Sequence, residues 1–212
     1  TAMPFLTGKY GNASQPYSFA KPAKKAIFEA RETIAACIGA EPDEIYFTSG
    51  GTESNNWAIK SSVFPDAKMR TIITSQIEHH AVLNTCAAIE LFGYPVIYLP
   101  VTDDGIVQPE KLSQYIMDNT RLVSIMLANN EIGTIEPIKE LTRIAHEHGT
   151  LFHTDAVQAF GQIPIQVDDL NIDMLSASGH KLNGPKGIGF LYIRKGLRLK
   201  NFIHGGAQER KR

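Results

Sequence analysis

Along this 212-residue chain the period of the apolar positions changes again and again. Ile27, Ile34 and Ile38 recur at helical spacing within residues 17–40, and Gly39 stands where such a helix would stop. Residues 44–48 hold a short run of branched and aromatic side chains after Glu44, which predicts a strand. Further helices are predicted over 53–64, 81–92, 110–117 and 138–148, with Gly93 and Gly149 closing the second and the fourth of these. Further strands are predicted over 71–75, 96–99, 122–127, 151–153, 174–177 and 189–193. Strands alternating with helices need right-handed crossovers, so the pattern predicts an α/β fold with a mainly parallel, doubly wound sheet. Ligands of such sheets bind beyond the carboxyl ends of the strands. The residues that follow each strand are therefore the place to look for chemistry.

The run 44–48 leads into Ser49-Gly50-Gly51-Thr52-Glu53-Ser54 and then a helix. Two glycines expose backbone N–H groups, and the helix adds its positive end, which together suit a phosphate. A plain turn with Thr52 as an ordinary helix cap is the competing reading. Residues 71–75 lead to Glu78-His79-His80, where His79 could stack on a planar ligand or move protons. A surface histidine at a helix start is the alternative. Residues 122–127 lead to Asn129 and Asn130, which offer donors and acceptors or simply form a turn. Residues 151–153 lead to Asp155, with Gln158 one helical turn on. Asp155 is either a desolvated carboxylate that needs a cationic partner or a helix cap. Residues 174–177 lead to Ser178-Gly179-His180-Lys181 and a Gly-rich stretch. A lysine there can become a nucleophilic amine. Lys186, between Pro185 and Gly187, reads as a turn or phosphate-contact residue.

Composition narrows the classes. Lys and Arg total 21 against 22 Asp and Glu, a balance that gives no drive toward nucleic acid or an anionic membrane. No apolar stretch approaches the roughly 18 residues that span a bilayer. No pair of histidines has metal-ligand spacing, so no metal is expected. The two cysteines, Cys37 and Cys86, cannot make a disulfide framework, which points to a reducing, cytoplasmic setting. Both lie on predicted helices with apolar neighbours and are expected to be buried, inert thiols. A phosphate nest, a histidine, an asparagine pair, an aspartate with a glutamine, and a lysine at successive strand ends form a set that fits pyridoxal 5'-phosphate.

At this point the chain resembles the cysteine desulfurases, in the class-V group of the aspartate-aminotransferase-like (fold type I) pyridoxal-phosphate enzymes. The matching stretches are residues 47–54, 78–83, 129–134, 153–158, 178–189 and 204–210, in the family's order and over nearly the full chain. The resemblance implies that Lys181 forms the Schiff base with the cofactor and that Asp155 pairs with its ring nitrogen. It implies that Gln158 bonds the ring hydroxyl, and that His79 stacks on the ring and assists proton transfer. Gly51, Thr52, Ser178 and His180 would hold the phosphate. Asn130 would lie beside the cofactor and the substrate carboxylate. The implied reaction converts L-cysteine to L-alanine and passes sulfur as a persulfide to iron–sulfur cluster assembly or thiolation. A selenocysteine lyase and a non-catalytic scaffold for sulfur-transfer partners are the alternatives.

The resemblance also implies a homodimer and a sulfur-acceptor protein. Residues 1–212 correspond to a partial large domain, incomplete at both ends, with the small C-terminal domain and its sulfur-accepting cysteine absent. Residues 11–15 depart from the family's Gly-Asn-Pro-Ser-Ser loop. Neither Cys37 nor Cys86 is expected to carry the sulfur.

Overall fold

The computed structural model describes residues 2–64, 70–206 and 208–211. Thr1, Ala207 and Arg212, which belong to segments discussed above, lie outside the described residues. In chain order the helices are α1 (Met3–Thr7), α2 (Lys21–Ile38), α3 (Gly51–Val63), α4 (His80–Glu90), α5 (Pro109–Tyr115) and α6 (Ile138–Glu147). The strands are β1 (Ile45–Thr48), β2 (Thr71–Ser75), β3 (Val96–Leu99), β4 (Thr120–Ser124), β5 (Leu151–Asp155), β6 (Met174–Ser178) and β7 (Gly189–Ile193).

The seven strands form one sheet in the order β1-β7-β6-β5-β4-β2-β3. The pairs β2–β3, β2–β4, β4–β5 and β5–β6 are parallel. β7 runs against both β6 and β1, so it is the reversed strand of a mostly parallel sheet. Alternation along each strand sends neighbouring residues to opposite faces. Val123, Phe152, Leu175 and Tyr192 pack with Ile38 of α2, Leu112 of α5 and Leu141 of α6. Leu122, Leu151, Met174 and Leu191 pack with Trp57 and Ile59 of α3 and with Val82 and Ile89 of α4. Helices thus cover both faces, as the alternating pattern predicts.

A polar stitch crosses three strands. His153 of β5 is fully buried between the hydroxyls of Ser124 on β4, 2.8 Å away, and Ser176 on β6, 2.9 Å away. Burial pushes its pKa down to about 3, so the ring is neutral and acts as a hydrogen-bonding spacer.

Three expectations need adjustment. The predicted strand 122–127 is β4, which starts at Thr120 and ends at Ser124. Beyond it Ile125 and Leu127 still donate to the carbonyls of His153 and Asp155, so the chain runs on beside β5. The strand predicted over 151–153 continues to Asp155. Cys37 is exposed rather than buried. On α2 it is Ala35 and Ile38 that turn inward, and Cys37, two residues from Ala35, falls on the other side of the helix. Cys86 is buried as expected, and burial above all pushes its thiol up to about 12. Among the described residues no helix is long and apolar enough to cross a membrane.

Candidate active site

A cavity of about 180 Å³ opens beyond the carboxyl ends of β1, β2, β4, β5 and β6. All nine residues that the resemblance assigns to cofactor and substrate line it, and Asn129 and Lys186 do not. Each strand end delivers its group in a different way.

From β1 the chain passes through Gly50 into the first turn of α3. Gly50 is the residue before the helix, with φ of 150° and ψ of −177°, a conformation open to glycine and few others. The helix therefore begins at Gly51, two residues earlier than the apolar pattern suggests, and Thr52 lies in its first turn instead of capping it. The first N–H groups of α3 are left to meet an anion at the cavity wall. Ser49 and Gly50 are fixed from below: Ser49 N donates to Glu53 Oε2 at 2.7 Å and Ser54 N donates to the Gly50 carbonyl at 3.1 Å. Gly189 of β7 passes so close that a Cβ on it would lie 2.6 Å from the Gly50 Cα.

From β2 comes His79, which caps α4. Its Nδ1 accepts the Ala81 N–H at 3.0 Å, so the neutral ring carries its proton on Nε2. The capping reading and the cavity-lining reading are both true of this residue. Beside it Glu78 is buried, and its Oε1 accepts from Ser75 Oγ at 2.7 Å and Met126 N at 2.9 Å. Burial pushes Glu78 up to about 8 against those two donors. From the end of β4 come Met126 and Asn130. The neighbouring Asn129 points away from the cavity: its Oδ1 accepts the N–H groups of Glu131 and Ile132, and its amide donates to the Ile77 carbonyl. The asparagine pair thus divides into one that forms the turn and one, exposed, that faces the cavity.

Asp155 closes β5 and is 4% exposed. Its Oδ1 accepts from Val157 N at 2.9 Å, a local turn, and its Oδ2 accepts from Asn55 Nδ2 at 2.7 Å. Burial raises its pKa, against those two donors and the facing His79. A buried carboxyl in this balance gains most from a ligand that brings a positive charge or an N–H. From β6 the chain turns through a single 3-10 turn, Gly179–Leu182, that carries His180 and Lys181. Ser178 Oγ lies 2.7 Å from His180 Nδ1. Lys181 is exposed along the cavity wall, where its amine is open to a ligand.

Reading the strand ends missed Asn55, Met126 and Val157, which also line the cavity. Val157 sits between two residues that were found, and it packs against Gly51 where a Cβ would come within 2.6 Å. Met126 lies just before the turn that carries Asn129 and Asn130. Asn55 was hidden on the buried face of a helix.

The wall therefore combines an amine, a buried acid, an imidazole of fixed tautomer, and a helix N-terminus with two hydroxyls. The Aminotransferase class-V family model matches residues 1–211. "Cysteine desulfurase IscS" of Methanosarcina thermophila is 58% identical over 211 residues, 99% of this chain and 52% of the relative. "Putative cysteine desulfurase IscS 1" of Bacillus subtilis (strain 168) is 49% identical, again over 99% of this chain and 56% of the relative. The chain thus spans about half the length of the curated relatives it matches. Among solved structures, one titled "SspA in complex with cysteine" superposes with a TM-score of 0.96 at 46% identity, covering 98% of this chain and 61% of that one. A "NifS-like protein" superposes with a TM-score of 0.95 at 44% identity, covering 99% of this chain and 58% of that one.

Proposed function

Given that the chain belongs to the class-V aminotransferase family, we propose that it forms the cofactor-binding part of a pyridoxal-phosphate-dependent cysteine desulfurase. The observation that carries this reading is the single cavity where Lys181, Asp155, His79 and the start of α3 meet. Those residues fit pyridoxal 5'-phosphate: a buried acid with no ion pair among the described residues, a helix N-terminus for the phosphate, and an accessible amine. The relatives named as cysteine desulfurases and the cysteine complex support cysteine rather than selenocysteine as substrate.

When bound, the cofactor supplies an aldehyde that captures amines covalently and a ring that accepts electrons. Lys181 Nζ would be the amine that holds the cofactor's aldehyde, and the same amine, when free, would be the base that takes the proton from the substrate Cα. Asp155 would hold the ring nitrogen through an ionised oxygen, and Gln158 would hold the ring hydroxyl. Thr52, Ser178, His180 and the N–H groups of Gly51 and Thr52 would hold the phosphate. His79 would face the ring and, with a proton on Nε2, would have one to give at the substrate sulfur or carbon. Asn130 would orient the substrate carboxylate.

Sulfur leaves L-cysteine as a persulfide on a thiol, and L-alanine is the other product. Neither cysteine of this chain lines the cavity, and the Cys86 thiol is held protonated. The proposal places the accepting thiol in another part of the full-length protein. A cytoplasmic homodimer that hands sulfur to an acceptor protein completes the proposal. The test is to give L-cysteine to the full-length protein loaded with cofactor. Alanine and protein-bound persulfide should appear in equal amounts. Bound cofactor with neither product would favour the scaffold reading.

A further inference from the structure

Asp155 lines the cavity, and among the described residues each of its oxygens is held by a single donor. Val157 N serves Oδ1 as part of a local turn, which any residue at 157 other than proline would provide. Asn55 serves Oδ2 from a different element, across the gap between α3 and β5, at 2.7 Å. Asn55 is 1% exposed, and its own Oδ1 has no partner among the described residues. An amide half satisfied in a buried place is an expensive choice if its only task is to fill space. Leucine would fill that position without a bare polar atom. The amide N–H does what leucine cannot: it favours the ionised carboxylate and fixes the plane of the carboxyl group.

We propose that Asn55 is a positioning residue that keeps Asp155 ionised and aimed, and so makes the site prefer a ring with a protonatable nitrogen. This rests on the pyridoxal-phosphate reading above and extends it to a residue that acts through Asp155. Without Asn55, the Oδ2 atom loses its donor, burial is opposed by Val157 N alone among these donors, and the carboxyl takes up a proton more readily. A neutral Asp155 no longer rewards the charge on a ring nitrogen. A residue that merely ties α3 to β5 would influence every ligand of the cavity alike.

The experiment measures dissociation constants of the full-length protein, stripped of cofactor, for two ligands. One is pyridoxal 5'-phosphate, and the other is its analogue with a C–H in place of the ring nitrogen. Wild type, Asn55→Leu, Asn55→Ala and Asp155→Asn are compared. Wild type should prefer the natural ring by about tenfold or more, the scale of a charge-assisted hydrogen bond. Asn55→Leu and Asn55→Ala should lose most of that preference while the analogue binds within about twofold of wild type. Asp155→Asn should lose it too, and Asn55→Leu added to Asp155→Asn should remove nothing further. The preference is a ratio within one sample, so a reduced folded fraction cancels. Variants that keep the wild-type preference, or that weaken both ligands equally, overturn the role given to Asn55. Wild-type protein that binds neither ligand overturns the cofactor reading itself, and this inference with it.

Discussion

Helices α3 and α6 pack on opposite faces of the same sheet, and they are built by opposite rules. α6 buries Ile138, Leu141, Ile144 and Ala145, with Thr142 the one polar exception, and turns Lys139, Glu140, Arg143 and Glu147 outward. That is an amphipathic helix held by apolar contact. α3 buries Ser54, Asn55, Ser61 and Ser62 beside Trp57 and Ile59. Ser54, Asn55 and Ser62 each reach a polar partner. The hydroxyl of Ser54 contacts Thr48 Oγ1 at 2.8 Å and donates to the Phe190 carbonyl at 3.0 Å. Ser62 donates back to the Ala58 carbonyl, and Asn55 serves Asp155. α6 stabilises the sheet; α3 gives up apolar packing to bring a positive helix end and an amide to the cavity. Stability and ligand binding should therefore separate when the two helices are perturbed.

The largest effect is expected from Leu141→Ala in α6. Removing a fully buried leucine should cost about 2–5 kcal/mol in urea unfolding, while the folded fraction binds cofactor as before. A matching loss of cofactor affinity would erase the distinction between the two helices.

Next in size is a pH effect at the site end of the sheet. Folded Glu78 keeps its proton up to about pH 8, whereas the unfolded chain releases it near 4.5. Between those values the folded state binds more protons, so stability falls as pH rises. Asp155, also raised by burial, adds to the fall in the same direction. Unfolding of cofactor-free protein should show a decline on the order of a few kcal/mol across that window, and Glu78→Gln should flatten it. A stability that climbs with pH over the same range would mean that Glu78 is ionised in the folded chain.

Gly189→Ala comes third. The new Cβ would meet the Ala177 carbonyl oxygen at 2.5 Å and the Gly50 Cα at 2.6 Å, so the loop that starts α3 must shift. A loss of about 1–3 kcal/mol in stability is expected, with cofactor affinity reduced about tenfold. Unchanged affinity at reduced stability would show that the start of α3 does not hold the phosphate. The smallest effect belongs to Thr52→Val, exposed at the cavity. It should weaken cofactor binding by about 0.5–1.5 kcal/mol with no change in melting temperature.

The same contrast explains what the sequence could disclose. α6 was legible because apolar spacing and burial coincide there: the predicted span 138–148 differs from Ile138–Glu147 by one residue. α3 was read two residues short at its start, because the helix begins on glycines that carry no apolar signal. Nine of the twelve cavity residues sit at or just past strand ends, where topology rather than burial marks them. Asn55 carries no such mark because it sits one turn inside a helix, on a face that periodicity reserves for apolar side chains. The nearest signal was the unusual polarity of Ser54-Asn55-Asn56 just past the glycines. Cys37 shows the converse. Its apolar neighbours in sequence are not its neighbours in space, because the helical rotation carries it away from Ala35 and Ile38.

The central claim is that Lys181 holds pyridoxal 5'-phosphate in the cavity at the strand ends. It is tested most directly by borohydride reduction of the cofactor-loaded full-length protein, followed by peptide mass analysis. The reduced cofactor should be fixed on the peptide that contains Lys181, and Lys181→Ala should abolish the adduct. An adduct on Lys186 or on another lysine, or none in protein that carries the cofactor's visible absorbance, would contradict it.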